Sequence, residues 1–208
     1  MLIATTNPAK LAEYRTLLRG FDLKLLSLRD ARIEAEAPED GASFTANALI
    51  KATFYFRLSA LPTIADDGGL EVDALGGAPG TRSHRWLGPG IDDRTLAEEV
   101  IRRMANCEAG RRTARLRAAA ALIYRDEAGG HGKLIQRVAE ASFEGIIADR
   151  CYPEVRAGFP YRSVLYLPDR GRYLAELDEE EAAQLSQRKI AIDKLSPDLH
   201  RIAQISNG

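Results

Sequence analysis

The sequence predicts one α/β domain, and three observations predict it. Short apolar runs alternate with longer segments of helical periodicity. A length of 208 residues suits one domain with a core that needs no disulfide or metal staple. No repeat, low-complexity tract or linker interrupts the chain. The economical architecture is a single domain over residues 1–208, with room for two lobes around a cleft.

Composition narrows the class. Hydrophobic residues make up 45% and charged residues 28%, which is globular and excludes wholesale disorder. A net charge of −1 argues against nucleic acid or a polybasic membrane surface as the partner. A local cationic pocket for a phosphorylated small molecule stays open. No run approaches the roughly 18 apolar residues of a membrane helix. Met1 to Thr6 lacks a basic region followed by an apolar stretch, so no signal peptide is expected. The two cysteines, Cys107 and Cys151, make no zinc pattern and suit a reduced, cytoplasmic state. His84, His131 and His200 show no metal-ligand spacing.

The elements follow in order. Leu2 to Thr5 reads as a short strand. Asn7 is a good N-cap and Pro8 suits the first helical position, so a helix starts there. Leu11, Tyr14, Leu17 and Leu18 form its buried stripe, and Gly20 ends it. A strand is expected near Leu23 to Leu28, followed by an acidic irregular stretch over residues 30–42. A second helix opens at Ser43, with Phe44, Ala48, Ala52 and Tyr55 at helical spacing. Pro62 to Ala65 is a buried strand that ends at Asp66 and Asp67. Gly76 to Gly80 is a loop, and Asp92 to Met104 a helix. Arg115 to Tyr124 is a strand despite its alanines, and Asp126 to Lys133 a hairpin loop. Further strands are expected at Leu134 to Phe143, Gly145 to Ala148 and Ser163 to Leu167. A helix from Asp178 to Leu195 and a short one from Pro197 complete the chain.

Four segments could carry chemistry. At the Thr5-Thr6-Asn7-Pro8-Ala9-Lys10 junction, a helix N-terminus offers backbone N–H groups and a positive dipole end to an anion. Thr5, Thr6, Asn7 and Lys10 would add donors; the plainer reading is a capped helix with a surface lysine. Asp66-Asp67-Gly68-Gly69 places two carboxylates beside glycines, which suits a hard cation and close backbone approach, or else an ordinary acidic turn. Glu39 precedes a helix on which Asn47 and Lys51, four apart, share a face; they suit metal and phosphates, or are simply solvated. The glycine-rich stretch that ends in Ser83, His84 and Arg85 offers Arg85 as a bidentate phosphate donor, though such turns are often only turns.

Other phosphate and hydrolase signatures fail. Gly129-Gly130-His131-Gly132-Lys133-Leu134 is not GxxxxGK[ST], and neither GxGxxG after a strand nor GxSxG is present. The acidic run from Asp178 to Glu181 reads as a helix first turn that complements the dipole.

The order of these segments resembles the inosine-triphosphatase-like family, diphosphatases for non-standard purine nucleoside triphosphates. The opening TxNxxK pattern is similar to Thr5 through Lys10. ExGxSFxxNAxxKA is similar to Glu39 through Ala52. ADDSGLEVDALGGAPG is similar to Ala65 through Gly80, with Gly68 in place of serine. The arginine that follows corresponds to Arg85. The resemblance is strong to about residue 90 and fainter to about residue 192.

The resemblance implies a long, bent mixed sheet flanked by helices, with two lobes around a cleft. It implies a magnesium ion, with manganese as the alternative, held by Glu39, Asp66 and Asp67. Asp67 would activate the attacking water. Thr5, Asn7, Lys10 and Lys51 would hold phosphate oxygens and stabilise charge during attack, with Thr6, Asn47 and Gly68 also on the substrate, although glycine at 68 removes one possible phosphate donor. Phe159, Tyr161, Ser186, Gln187 and Arg188 would lie on the base side. The products would be a nucleoside monophosphate and pyrophosphate, and the working form a homodimer.

The second half departs from the pattern. GFGYDP stands here as Gly158-Phe159-Pro160-Tyr161-Arg162-Ser163, so Arg162 replaces the aspartate. A lysine followed by SHR becomes Ala182, then Ser186-Gln187-Arg188. Polar readout of a base can discriminate by orders of magnitude, so these exchanges leave two alternatives to the inosine and xanthosine substrates. One is the same reaction on another nucleotide. The other is a nucleotide-binding relative with weak turnover, against which the retained Lys10, Glu39, Lys51, Asp66 and Asp67 argue.

Overall fold

A computed structural model of the chain describes residues 1–126 and 132–207, the side chains of 206 and 207 excepted. Strands and helices alternate through the first half, as their periodicities predict. The order is β1 (Leu2–Ile3), α1 (Pro8–Leu17), β2 (Leu26–Ser27), α2 (Phe44–Ser59), β3 (Thr63–Val72), α3 (Asp93–Arg103), β4 (Thr113–Asp126), β5 (Lys133–Ile147), β6 (Leu165–Leu167), β7 (Arg172–Tyr173), α4 (Glu179–Gln184) and α5 (Gln187–Asn207). The seven strands make one mixed sheet in the order β2-β1-β3-β4-β5-β6-β7. β1 runs parallel to β2 and β3, whereas β6 is antiparallel to β5 and β7.

The helix starts obey capping chemistry. Asn7 Oδ1 accepts from the N–H groups of Ala9 and Lys10 at 2.9 and 3.2 Å, with Pro8 opening α1. Ser43 Oγ accepts from Ala46 N at 3.1 Å to start α2.

Residues cluster into two compact units. The first comprises 1–67, 118–141 and 188–208; the second comprises 68–117 and 142–187. In the first unit β1, β3 and β4 are buried on both faces, and side-chain alternation divides them between two cores. Ile3, Ile64, Ala120 and Leu122 pack with Tyr14 and Leu18 of the α1 region and with Ala191, Ile192, Leu195 and Leu199 of α5. Leu2, Ala65, Ala119, Ala121 and Ile123 pack instead with Phe44, Ala48, Ala52 and Tyr55 of α2. The alanines of β4 are therefore a packing requirement, since small side chains admit helices close to both faces of the strand. The second unit has its own core, built on Leu70, Val72, Leu96, Val100, Met104, Ile147, Val164 and Leu165.

Several expected boundaries move. β1 and β2 are two residues each, shorter than the runs that suggested them. β3 does not stop at Asp66 and Asp67 but continues through Gly68 and Gly69 to Val72. The two strands expected at 134–143 and 145–148 are one strand, β5, running through Gly145. A β-carbon at Gly145 would lie 2.8 Å from the Tyr166 carbonyl oxygen, so this glycine marks close approach of the neighbouring strand, not a break. The final helix is interrupted after Gln184 and not at Pro197, which sits inside α5. The physical reason is a change of core: Ala182 packs in the second unit, whereas Ala191, Ile192, Leu195 and Leu199 pack in the first. Leu199 and Ile202 carry burial on past the proline. The hairpin loop expected within 126–133 falls largely outside the described residues.

Candidate active site

Alternation along β3 decides what the aspartate pair can do. Neighbouring residues of a strand face opposite sides, so Asp66 follows Ile64 toward α1 and α5 while Asp67 follows Ala65 toward α2. The pair is not an acidic turn. It forms two separate charge clusters, both within the first unit.

On the α1 side, Asp66 is fully buried. Its Oδ2 lies 3.1 Å from Lys10 Nζ and accepts from Arg188 Nε at 2.9 Å. Arg188 Nη1 also reaches Glu13 Oε2 at 3.3 Å. Burial alone would raise the Asp66 pKa, but Lys10, Arg188 and Lys51 outweigh it and hold the carboxyl well below the usual carboxylate range. Lys10 is pushed below an ordinary lysine, chiefly by burial. Asp66 opposes that shift, yet its charge is shared with Arg188, and the cations Arg188 and Lys51 add repulsion.

On the α2 side, Lys51 Nζ lies 2.9 Å from Glu39 Oε1 and 3.5 Å from Asp67 Oδ1. Burial works against the Lys51 charge, but Asp67, Asp66 and Glu39 more than compensate, so its pKa is raised. Asn47 Nδ2 donates to Asp67 Oδ2 at 2.9 Å. The ammonium stands where two carboxylates converge, one of them, Glu39, exposed. That donor set of hard oxygens around one positive charge is what a divalent cation would need.

The structure thus brings Glu39 and Asp67 together and sends Asp66 elsewhere. Among the described residues, no three His, Cys, Asp or Glu side chains gather to hold a metal. Of the expected trio, Glu39 and Asp67 meet at Lys51, whereas Asp66 pairs with Lys10 and Arg188.

The remaining expected residues divide as follows. Thr5 Oγ1 accepts from Asn7 N at 3.2 Å, and Asn7 Oδ1 caps α1, so both serve the helix start beside Lys10. Thr6 is exposed. Gly68, Arg85, Phe159, Tyr161, Ser186 and Gln187 belong to the second unit. Gly68 is buried in β3, and Arg85 is exposed at the end of a 3-10 turn. The half-buried Phe159 ring has the Arg162 guanidinium 4.1 Å from its centroid. Tyr161 is core: its hydroxyl donates to the Ser83 carbonyl at 2.5 Å. Ser186 and Gln187 are both buried, and Ala182 packs within the core. Arg188, expected beside a base, lies in the Asp66 cluster. Glu13 is the residue that sequence reasoning missed there. Its only signal was the spacing from Lys10, which places both on one face of α1.

An α/β sheet protein with buried carboxylates, lysines and a capped helix N-terminus in one unit carries the groups that phosphate handling needs. Comparison with known proteins makes this specific. A sequence profile of the Ham1 family matches residues 1–198. A dITP/XTP pyrophosphatase of Methylococcus capsulatus is 39% identical over 188 residues, covering 90% of each chain. One from Geobacillus kaustophilus is 36% identical over 195 residues, covering 94% of this chain and 91% of the relative. The Staphylococcus aureus Ham1 protein superposes with a TM-score of 0.80 at 28% identity, over 95% of this chain and 96% of that one. The chain belongs to the Ham1 family.

Proposed function

We propose that this protein hydrolyses non-standard purine nucleoside triphosphates, of the ITP, dITP and XTP kind, to the monophosphate and pyrophosphate. The observation that carries the reading is the arrangement of Asp67 between Asn47 and Lys51, in a chain whose relatives are dITP/XTP pyrophosphatases. Cleavage falls between the α and β phosphates. Water supplies the oxygen gained by one phosphorus, and Asp67 takes the proton that water loses. Lys10 and Lys51, with the N–H groups at the start of α1, hold phosphate oxygens and offset the charge that develops in the transition state.

Glu39 and Asp67 would hold a magnesium or manganese ion, which when bound supplies charge neutralisation to the phosphates. Asp66 would instead keep Lys10 charged and in place. Phe159, Ser186 and Gln187 are assigned to base selection by the resemblance, with Arg162 stacked on Phe159. The Arg162 and Gln187 exchanges make the same reaction on another base the second reading. The working form is a homodimer, which light scattering reads directly, and it acts on the cytoplasmic nucleotide pool.

The test is pyrophosphate release with magnesium across ITP, dITP, XTP and the four standard triphosphates. Selective release from the deaminated purines is expected. Selective release from a different base keeps the reaction and replaces the substrate. Nucleotide binding without release from any of them overturns the reading.

A further inference from the structure

Asn47 has no accessible surface, and both ends of its amide are used inside the protein. Nδ2 donates to Asp67 Oδ2 at 2.9 Å, and Oδ1 accepts from Gly41 N at 2.8 Å. A carboxylate can only accept and a backbone N–H can only donate, so these two bonds fix which end of the amide is which. Gly41 closes against the same point: a β-carbon there would lie 2.6 Å from Asn47 Oδ1 and 2.9 Å from Ala46 Cβ and from Asn47 N. Glu39 stands two residues before that contact, its Oε1 on Lys51 Nζ. One amide on the first turns of α2 therefore anchors both the segment that carries Glu39 and the carboxylate of Asp67.

We propose that Asn47 is a positioning residue for Asp67 and Glu39 and does not contact the nucleotide. The inference rests on the hydrolase reading above and departs from the phosphate-ligand role that the motif suggested for Asn47. The hydrogen bond to Oδ2 fixes the rotation of the Asp67 carboxylate and leaves Oδ1 toward Lys51. The bond from Gly41 docks the Glu39 segment at a set distance from it. Such control matters because a misplacement of about 1 Å at a reacting group can lower a rate about 10²-fold.

The test compares kcat with KM, because loss of a substrate ligand raises KM with kcat kept, whereas loss of geometry lowers kcat. Asn47→Ala is expected to lower kcat about 10²-fold with KM within about threefold. Gly41→Ala, whose added β-carbon meets Asn47 Oδ1 and not Asp67, is expected to lower kcat in the same sense. Two further variants cover failure of Asn47→Ala to fold. Asn47→Asp keeps the acceptor for Gly41 but sets a carboxylate against Asp67, so its thermal midpoint falls. Adding Asp67→Asn reverses the donor and acceptor of that bond, and is expected to restore the midpoint without restoring turnover. An Asn47→Ala enzyme with unchanged kcat and raised KM overturns the proposal, as does a double variant no more stable than Asn47→Asp alone. If wild-type protein releases no pyrophosphate, the hydrolase reading fails, and the unfolding comparison then decides only whether Asn47 holds Asp67 in the fold.

Discussion

Arg188 Nε donates to Asp66 Oδ2 at 2.9 Å, joining the first turn of α5 to the middle of β3 across 122 residues of sequence. The same guanidinium reaches Glu13 on α1. Removing one partner of a buried ionic cluster leaves charge without compensation, which typically costs about 3–5 kcal/mol. Arg188→Met is therefore expected to lower unfolding free energy by about that amount, read from urea denaturation with the m-value unchanged. Arg188→Lys should recover little, since one ammonium cannot reproduce a fork that spans Asp66 and Glu13. A loss below about 0.5 kcal/mol, the range of surface substitutions, contradicts the assignment.

Lys10 gives a pH prediction. Its folded pKa lies below the ordinary 10.5, so between those two values the unfolded chain binds the proton and the folded chain does not. Stability from this group consequently rises with pH through that window. Activity moves the opposite way, because a neutral amine no longer holds a phosphate. The alkaline fall in kcat/KM is expected at lower pH than a solvated lysine would give, and Lys10→Arg should move it upward. Asp66 behaves as a paired carboxylate: its contribution is present above the unfolded value near 3.8 and is lost as pH falls toward the depressed folded one.

Arg112 yields a stability prediction in the second unit. Its buried guanidinium donates to the carbonyls of Ile147 at 2.7 Å, Met104 at 2.9 Å, Cys107 at 3.3 Å and Ala148 at 2.6 Å. It fastens the end of α3 to the end of β5. Arg112→Met should cost about 3 kcal/mol or more, because several buried carbonyls lose their donor together. Guanidinium denaturation measures this, and pyrophosphate release by the remaining folded protein should be close to normal.

How far the sequence carried depends on what each signal physically encodes. Caps are local, so Asn7-Pro8 and Ser43 placed the starts of α1 and α2 to the residue. The order of the motifs marked the segments that hold Lys10, Glu39, Lys51 and the aspartates. Facing was not legible, because Asp66 and Asp67 were expected at the end of a strand, as a cation site or an acidic turn, and only their place inside β3 sends them apart. Arg112 and Glu13 carry no motif; their roles come from contacts between distant segments. Ala182 looked like a lost base contact, yet it is 2% exposed in a core, so a lysine restored there would meet packed side chains. The break near Leu185 followed a change of core that no capping residue announced.

Ser83 explains a glycine. Its Oγ accepts from Leu70 N at 3.0 Å and donates to the Gly80 carbonyl at 2.6 Å. A β-carbon at Gly69 would lie 2.0 Å from that oxygen and 2.7 Å from Gly80 O. Ser83→Ala should cost about 1–3 kcal/mol by leaving a buried N–H without its acceptor. Gly69→Ala should cost about as much or more through overpacking against backbone. Thermal unfolding of the two single variants checks both; a neutral Gly69→Ala would mean that the loop yields freely.

Asp67→Asn is the most direct test of the central claim, that Asp67 takes the proton from the attacking water. The substitution keeps the side-chain volume and an acceptor for Asn47, but removes the base. Pyrophosphate and monophosphate release from dITP and XTP should be equimolar in the wild type. In the variant both should fall by about 10²–10⁴-fold, the usual worth of a positioned general base, with an unfolding midpoint close to wild type. Near-normal release by a folded Asp67→Asn protein would contradict the account.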